Sequence, residues 1–191
     1  MKVRKFLFAG ALIAASLFSV NSVMAQTNST TATDQVVVNL KFKPIMSITV
    51  GVDNVDLTYE TVTDYSKGKT SGLLTNHINI YSTGGFEVKV KAAEDFTNGT
   101  KTIPVGDVLI EATAVTGVSD NSVYAAKQSL KATVEGETLV TKATGGVNIN
   151  YNVEYDNTAA GGSNNYINKY IFADGAESVY STTVTYTIAA K

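Results

Sequence analysis

The 191-residue chain has no cysteine and no tryptophan, a single histidine (His77), a single arginine (Arg4) and two prolines. Each shortage removes a class of function. Without cysteine there is no disulfide framework, no thiol chemistry and no lipid attachment at a cysteine, so stability must come from packing and strand pairing. One histidine in place of the usual cysteine and histidine set excludes a zinc centre. Arg4 lies in the first few residues, so the rest of the chain lacks the side chain that grips phosphate in a bidentate way, and nucleic acid is not expected as a partner. No serine occupies a Gly-x-Ser-x-Gly elbow, and the glycine pairs in GGVNIN and AAGGSNN lead into no helical pattern that would cradle phosphate. Asp53 and Asp56 in VDNVD lack the dense acidic spacing of a calcium loop. Lysine, asparagine and glutamate are the residues of an internal isopeptide cross-link, but no spacing singles out a trio. The expectation is a non-enzymatic protein without cofactor or metal.

What is present begins with a basic start, Lys2, Arg4 and Lys5, then the 15-residue apolar run FLFAGALIAASLFSV, then SVMA before Gln26. This is the pattern of a cleavable signal peptide over 1–25, and the run is shorter than the ~20 residues a transmembrane helix needs. Export to the periplasm, the cell surface or beyond is therefore expected. Setting those three cations aside leaves 12 basic against 17 acidic residues, a net charge of −5. Residues 26–35, QTNSTTATDQ, offer almost nothing to bury and are expected to be a flexible leader.

From residue 36 onward short alternating runs follow one another: 36–43, 45–50, 55–59, 76–82, 86–92, 108–115, 129–134, 147–155, 166–172 and 179–190, separated by Gly, Asn, Asp and Ser. Period-two alternation places successive side chains on opposite faces of a pleat, one buried and one wet. No segment sustains helical periodicity. The reading is a single all-β domain over 36–191, an antiparallel β-sandwich. In GVNINYNVEYD the buried set is Val147, Ile149, Tyr151, Val153 and Tyr155, and in VYSTTVTYTIAAK it is Tyr180, Val184, Tyr186 and Ile188. NHINIYSTGGFEVKV reads as a hairpin with a three-residue Thr83-Gly84-Gly85 loop, pairing Ile80 with Val88 and Ile78 with Val90. That register sends His77 to the solvent face opposite Lys91.

The first run, VVVNLKFK, has no hairpin partner before it, and Pro44 separates it from the next. Its apolar set Val36, Val38, Leu40 and Phe42 needs a groove. Tyr155, Tyr166 and Tyr170 flank the loop DNTAAGGSNN and form a candidate aromatic platform for a glycan.

The early alternating strand, GFEVKVKA after a glycine turn, KTIPVGDVLIEA and the final YSTTVTYTIAAK together resemble bacterial surface β-sandwich domains, in layout over most of 36–191. Two families are the nearest in pattern: the pilin subunits assembled by the chaperone–usher route, and the WxL-type cell-surface domain. The pilin resemblance implies an incomplete immunoglobulin-like sandwich, completed when a neighbour adds a strand to its open edge. It also implies a structural or adhesive role in a fimbrium, with other copies or related subunits and a periplasmic chaperone as partners. Residues 36–43 then match the donor strand, with Val36, Val38, Leu40 and Phe42 inserting. The WxL comparison maps its tryptophan positions onto Phe86 and the VTYTI strand, and without the tryptophans it implies no peptidoglycan binding. Two other readings fit the same alternation: a secreted glycan- or cell-wall-binding sandwich, and a small outer-membrane β-barrel, which needs longer strands and aromatic girdles.

Overall fold

The computed structural model describes residues 33–99, 101–119, 121–171 and 177–191. The expected signal peptide, 1–25, and leader residues 26–32 lie outside the described residues.

Strands dominate: β1 Met46–Val50, β2 Leu74–Ser82, β3 Phe86–Ala92, β4 Phe96–Thr97, β5 Thr102–Ile103, β6 Leu109–Ala114, β7 Val123–Tyr124, β8 Gln128–Ser129, β9 Glu137–Lys142, β10 Gly146–Asp156 and β11 Val184–Ala190. Two short helices, α1 Val62–Lys67 and α2 Thr158–Gly161, sit in the connections. One open sheet has the order β1-β2-β10-β6-β8 and a second the order β11-β3-β9-β7, while β4 and β5 pair separately. Every ladder is antiparallel. The expected all-β sandwich is therefore present, and it is not a closed barrel.

Alternation fixes the core. Ile78 and Ile80 of β2, Phe86, Val88 and Val90 of β3, Ile110 and Ala112 of β6, and Tyr151 and Val153 of β10 are buried, and they belong to one cluster between the sheets. Burial of each large apolar side chain is worth about 1.5–3 kcal/mol, so this cluster supplies most of the driving force for folding.

The hairpin reading of 76–92 is corrected. Ile78, Ile80, Val88 and Val90 do share one interior, but β2 and β3 belong to different sheets. Their side chains meet across the sandwich, and β2 pairs with β1 and β10 instead. Gly85 explains the crossing: a Cβ there would approach the Ala143 carbonyl oxygen to 2.7 Å, so only glycine lets the chain pass this close to the end of β9. His77 is likewise buried, not solvated. Asn76 is left-handed (φ 53°), and the β2–β10 register shifts beside it, so the bulge turns His77 inward.

A second bulge corrects β10. Asn148 has φ 55° and the register slips between Gly146 and Ile149, which leaves Val147 67% exposed while Tyr151, Val153 and Tyr155 stay inside. The expected strands at 36–43 and 55–59 are absent, that at 166–172 is absent over its described residues 166–171, and of 129–134 only Ser129 belongs to a strand, β8. Residues 33–41 form no helix or strand and carry Val36, Val38 and Leu40 at 78–85% exposure. Residues 42–191 form the compact unit, with Phe42 at its start 89% exposed.

Candidate functional site

The two edge strands β1 and β11 lie on the same flank of the sandwich, one from each sheet, and they contact each other. Along β11 the inward set Val184, Tyr186 and Ile188 alternates with exposed Thr183, Thr185 and Thr187. All three pack on the core yet remain only half-buried, as do Met46 and Ile48 of β1. Their neighbours one strand deeper, Ile78, Ile80 and Val88, are fully buried. Apolar cover thus thins out on this flank. Among the described residues β11 has a strand partner, β3, on one side only, so its outer edge presents unpaired backbone donors and acceptors.

Beneath β11 lies a polar group that the sequence pattern does not reveal. The Tyr186 ring meets His77 edge-on at 5.7 Å, and the Tyr155 and Tyr186 hydroxyls share a 2.6 Å hydrogen bond. Burial pushes both tyrosine hydroxyls above their ordinary range. His77 Nδ1 is buried without a hydrogen-bond partner, and burial lowers the imidazole pKa from 6.5. The folded state therefore binds this proton more weakly than the unfolded chain. Stability from His77 is fully present above about pH 6.5 and declines as pH falls from there toward the depressed folded value. The expected slope reaches at most about 1.4 kcal/mol per pH unit. Urea melts of His77→Phe between pH 7.5 and 4.5 should show a flatter profile than the parent in that window; parallel profiles would mean that His77 does not titrate on unfolding.

The three tyrosines proposed for glycan contact are split up. Tyr155 sits inside the sandwich with Tyr186, 7% exposed. Tyr166 is also buried, and of the three only Tyr170 is partly open. Tyr166 and Tyr170 do meet, edge to face at 5.0 Å, but they belong to a run of rings, Tyr65, Tyr59, Tyr166, Tyr170 and Tyr180, whose centroids are 5.0–5.7 Å apart. Their faces are spent on one another. Asn157 ties this run together: it accepts from the Tyr59 hydroxyl and donates to Tyr166 Oη at 3.0 Å and to the Asp107 carbonyl at 2.8 Å. Tyr166 in turn donates to Asp107 Oδ2 at 2.8 Å. Burial drives the Tyr59 hydroxyl up to about 12. No flat platform results.

Two other groupings are electrostatic. Lys127 Nζ lies 2.9 Å from Asp156, 3.0 Å from Glu154 and 3.7 Å from Glu111. Hydrogen bonds to Asp156 and Glu154 raise its pKa, so the amine is held as an ammonium among the three carboxylates. In VDNVD, Asn54 Nδ2 donates to both oxygens of Asp56 at 3.0 Å in an exposed loop.

No protein-family model matches the chain, and no curated protein matches it.

Proposed function

We propose that the chain is a non-enzymatic structural subunit of the bacterial surface that associates by strand addition, β11 receiving the 36–42 segment of another copy. The single observation that carries this reading is the half-covered flank at β11. The order β1-β2-β10-β6 corresponds to the A-B-E-D sheet of an immunoglobulin-like sandwich, and β11-β3 corresponds to F and C. The place of strand G, beside β11, has no strand of this chain in it among the described residues.

Chemistry and length agree with such a pairing. Residues 36–42 present Val36, Val38, Leu40 and Phe42 on one side and all four are exposed, so the segment has the pattern of a buried face without a burial. It is seven residues long and so is β11, about 23 Å at strand rise. Four such side chains contribute roughly 6–12 kcal/mol when fully enclosed. Association itself costs about 4–15 kcal/mol, so the ladder hydrogen bonds decide whether the junction holds. Strand addition supplies both terms.

The test uses a chain starting at residue 44 together with a synthetic peptide, DQVVVNLKFK. The truncated chain should be a soluble monomer, and the peptide at about a hundred times its Kd should stabilise it by about 2.7 kcal/mol. That corresponds to a melting temperature about 5–10 °C higher. A truncated chain that does not fold would mean the segment belongs to its own domain; a folded one indifferent to the peptide would mean β11 is not an acceptor.

A further inference from the structure

The ladders define two poles of the sandwich. At one, which we call the leader pole, the chain enters β1 and leaves β11; at the other, the far pole, α1, α2 and residues 162–171 cluster. A groove of about 560 Å³ opens at the far pole between α1 and the 164–171 loop. Its apolar lining is Val62, Tyr65, Ile167 and Ile171, and the three aliphatic residues are 47–85% exposed. The walls are fixed: Ser163 and Asn164 donate their amides to the carbonyls of Ser66 and Tyr65, both at 2.7 Å. An apolar concavity of fixed shape at the surface is suited to receive apolar side chains of a partner.

We infer that this groove docks a second copy of the chain, receiving the Ile45 and Val147 corner of the neighbour's leader pole. Three observations converge. First, Ile45 and Val147 are themselves 57% and 67% exposed, and they flank the end of β2 from either side, since Ile45 bonds Thr83 and Gly146 pairs with Ser82. Second, charge favours the pairing on one border of the groove: the loop 51–60 carries Asp53, Asp56 and Glu60 and no basic residue, opposite Lys169 on the 164–171 wall, whereas Lys43 and Lys142 stand at the leader pole. Glu87, the described carboxylate near them on β3, is engaged by Lys89 at 3.4 Å.

Third, strand addition brings these two poles together; the inference rests on that reading. β11 runs from the far pole to the leader pole. An incoming 36–42 segment paired antiparallel, like every ladder of the molecule, ends at the acceptor's far pole. Only Lys43, Pro44 and Ile45 then separate it from the donor's own β1, a reach of about 10 Å. The contact is head to tail, so each copy leaves one free groove and one free corner for the next, and the assembly can grow beyond a dimer.

Absence of cysteine makes the test clean. Val147→Cys and Ile167→Cys are both placed at exposed positions and should fold as the parent does. After assembly of a mixture of the two mature variants, a short bis-maleimide should give covalent dimers, and either variant alone should lose them, because like poles do not meet. Glu60→Lys should weaken association about tenfold by placing cation against cation. Assembly without cross-linking would overturn the docking and leave strand addition standing. Failure to assemble at all would instead overturn strand addition, and the docking with it. Protection of Ile167→Cys from maleimide by a soluble polysaccharide, with no cross-linking between copies, would overturn the inference by assigning the groove to a glycan.

Discussion

Leu40→Lys should abolish self-association of the mature chain and leave the melting temperature of the monomer unchanged, while Lys41→Leu should alter neither. The two positions adjoin in one segment and differ in the face they occupy: Leu40 belongs with Val36, Val38 and Phe42, and Lys41 points the other way in any extended pairing. Lysine at position 40 forfeits the 1.5–3 kcal/mol of leucine burial, roughly, and adds the cost of desolvating an ammonium against Val184, Tyr186 and Ile188. The combined loss is about 4–6 kcal/mol, or three to four orders of magnitude in the association constant. Gel filtration and thermal melting of both variants read the outcome. A lowered melt in a monomeric Leu40→Lys would mean that the segment completes its own domain. Equal damage from both substitutions would mean that it has no buried face.

Alternation made much of the fold legible. FEVKVKA gave β3 its observed bounds, Phe86–Ala92, because no residue in it departs from the period of two. Where a bulge intervenes the pattern fails, and it fails locally. Leu139 and Val140 are adjacent and both fully buried, at a register shift opposite Val88, so β9 shows no alternation and was not foreseen. Asn76 and Asn148, both left-handed, reversed the expected faces of His77 and Val147 in the same way. The mistaken hairpin has a different origin. Alternation says which side chains are buried and is silent on whether two strands lie side by side or face to face, since Ile80 and Val88 satisfy either. Only the close approach at Gly85 decides it.

The unpartnered apolar pattern in 36–43 was legible in the sequence, and the one-sided pairing of β11 was not, because β11 looks like any amphipathic strand until its neighbours are known. Helix α1 is too short for periodicity; its signal is the capping box, in which Thr61 accepts from the Asp64 amide and Asp64 from that of Thr61. Lys69 and the Thr61 and Glu60 amides hold the Asp64 carboxyl well below its ordinary range. A tyrosine count gave no means of separating a platform from a packed row. Tyr59 and Tyr166, at the centre of that row, lie ring against ring because one buried asparagine gathers their two hydroxyls.

That asparagine sets the largest stability effect expected outside the hydrophobic core. Asn157→Leu should cost about 3–5 kcal/mol, since it leaves the Tyr59 hydroxyl and the Asp107 carbonyl without the partner each has now and removes a donor from Tyr166, at about 1–3 kcal/mol per stranded group. For a domain of this size the melting temperature should drop by about 10 °C. Tyr59→Phe strands only the Asn157 oxygen and should cost about a third as much. Gly161→Ala approaches the same network from another side: its Cβ would run into the Tyr59 hydroxyl and Asn157 Oδ1, and the Gly161 amide is held to the Asn157 carbonyl at 2.9 Å. It should therefore lower the melt comparably, and the double variant with Asn157→Leu should lose less than the sum of the two, because each destroys the same bonds. Full additivity would show that the hydroxyls do not depend on one another. The far pole, with its groove between α1 and the 164–171 loop, would then be held by backbone pairing alone.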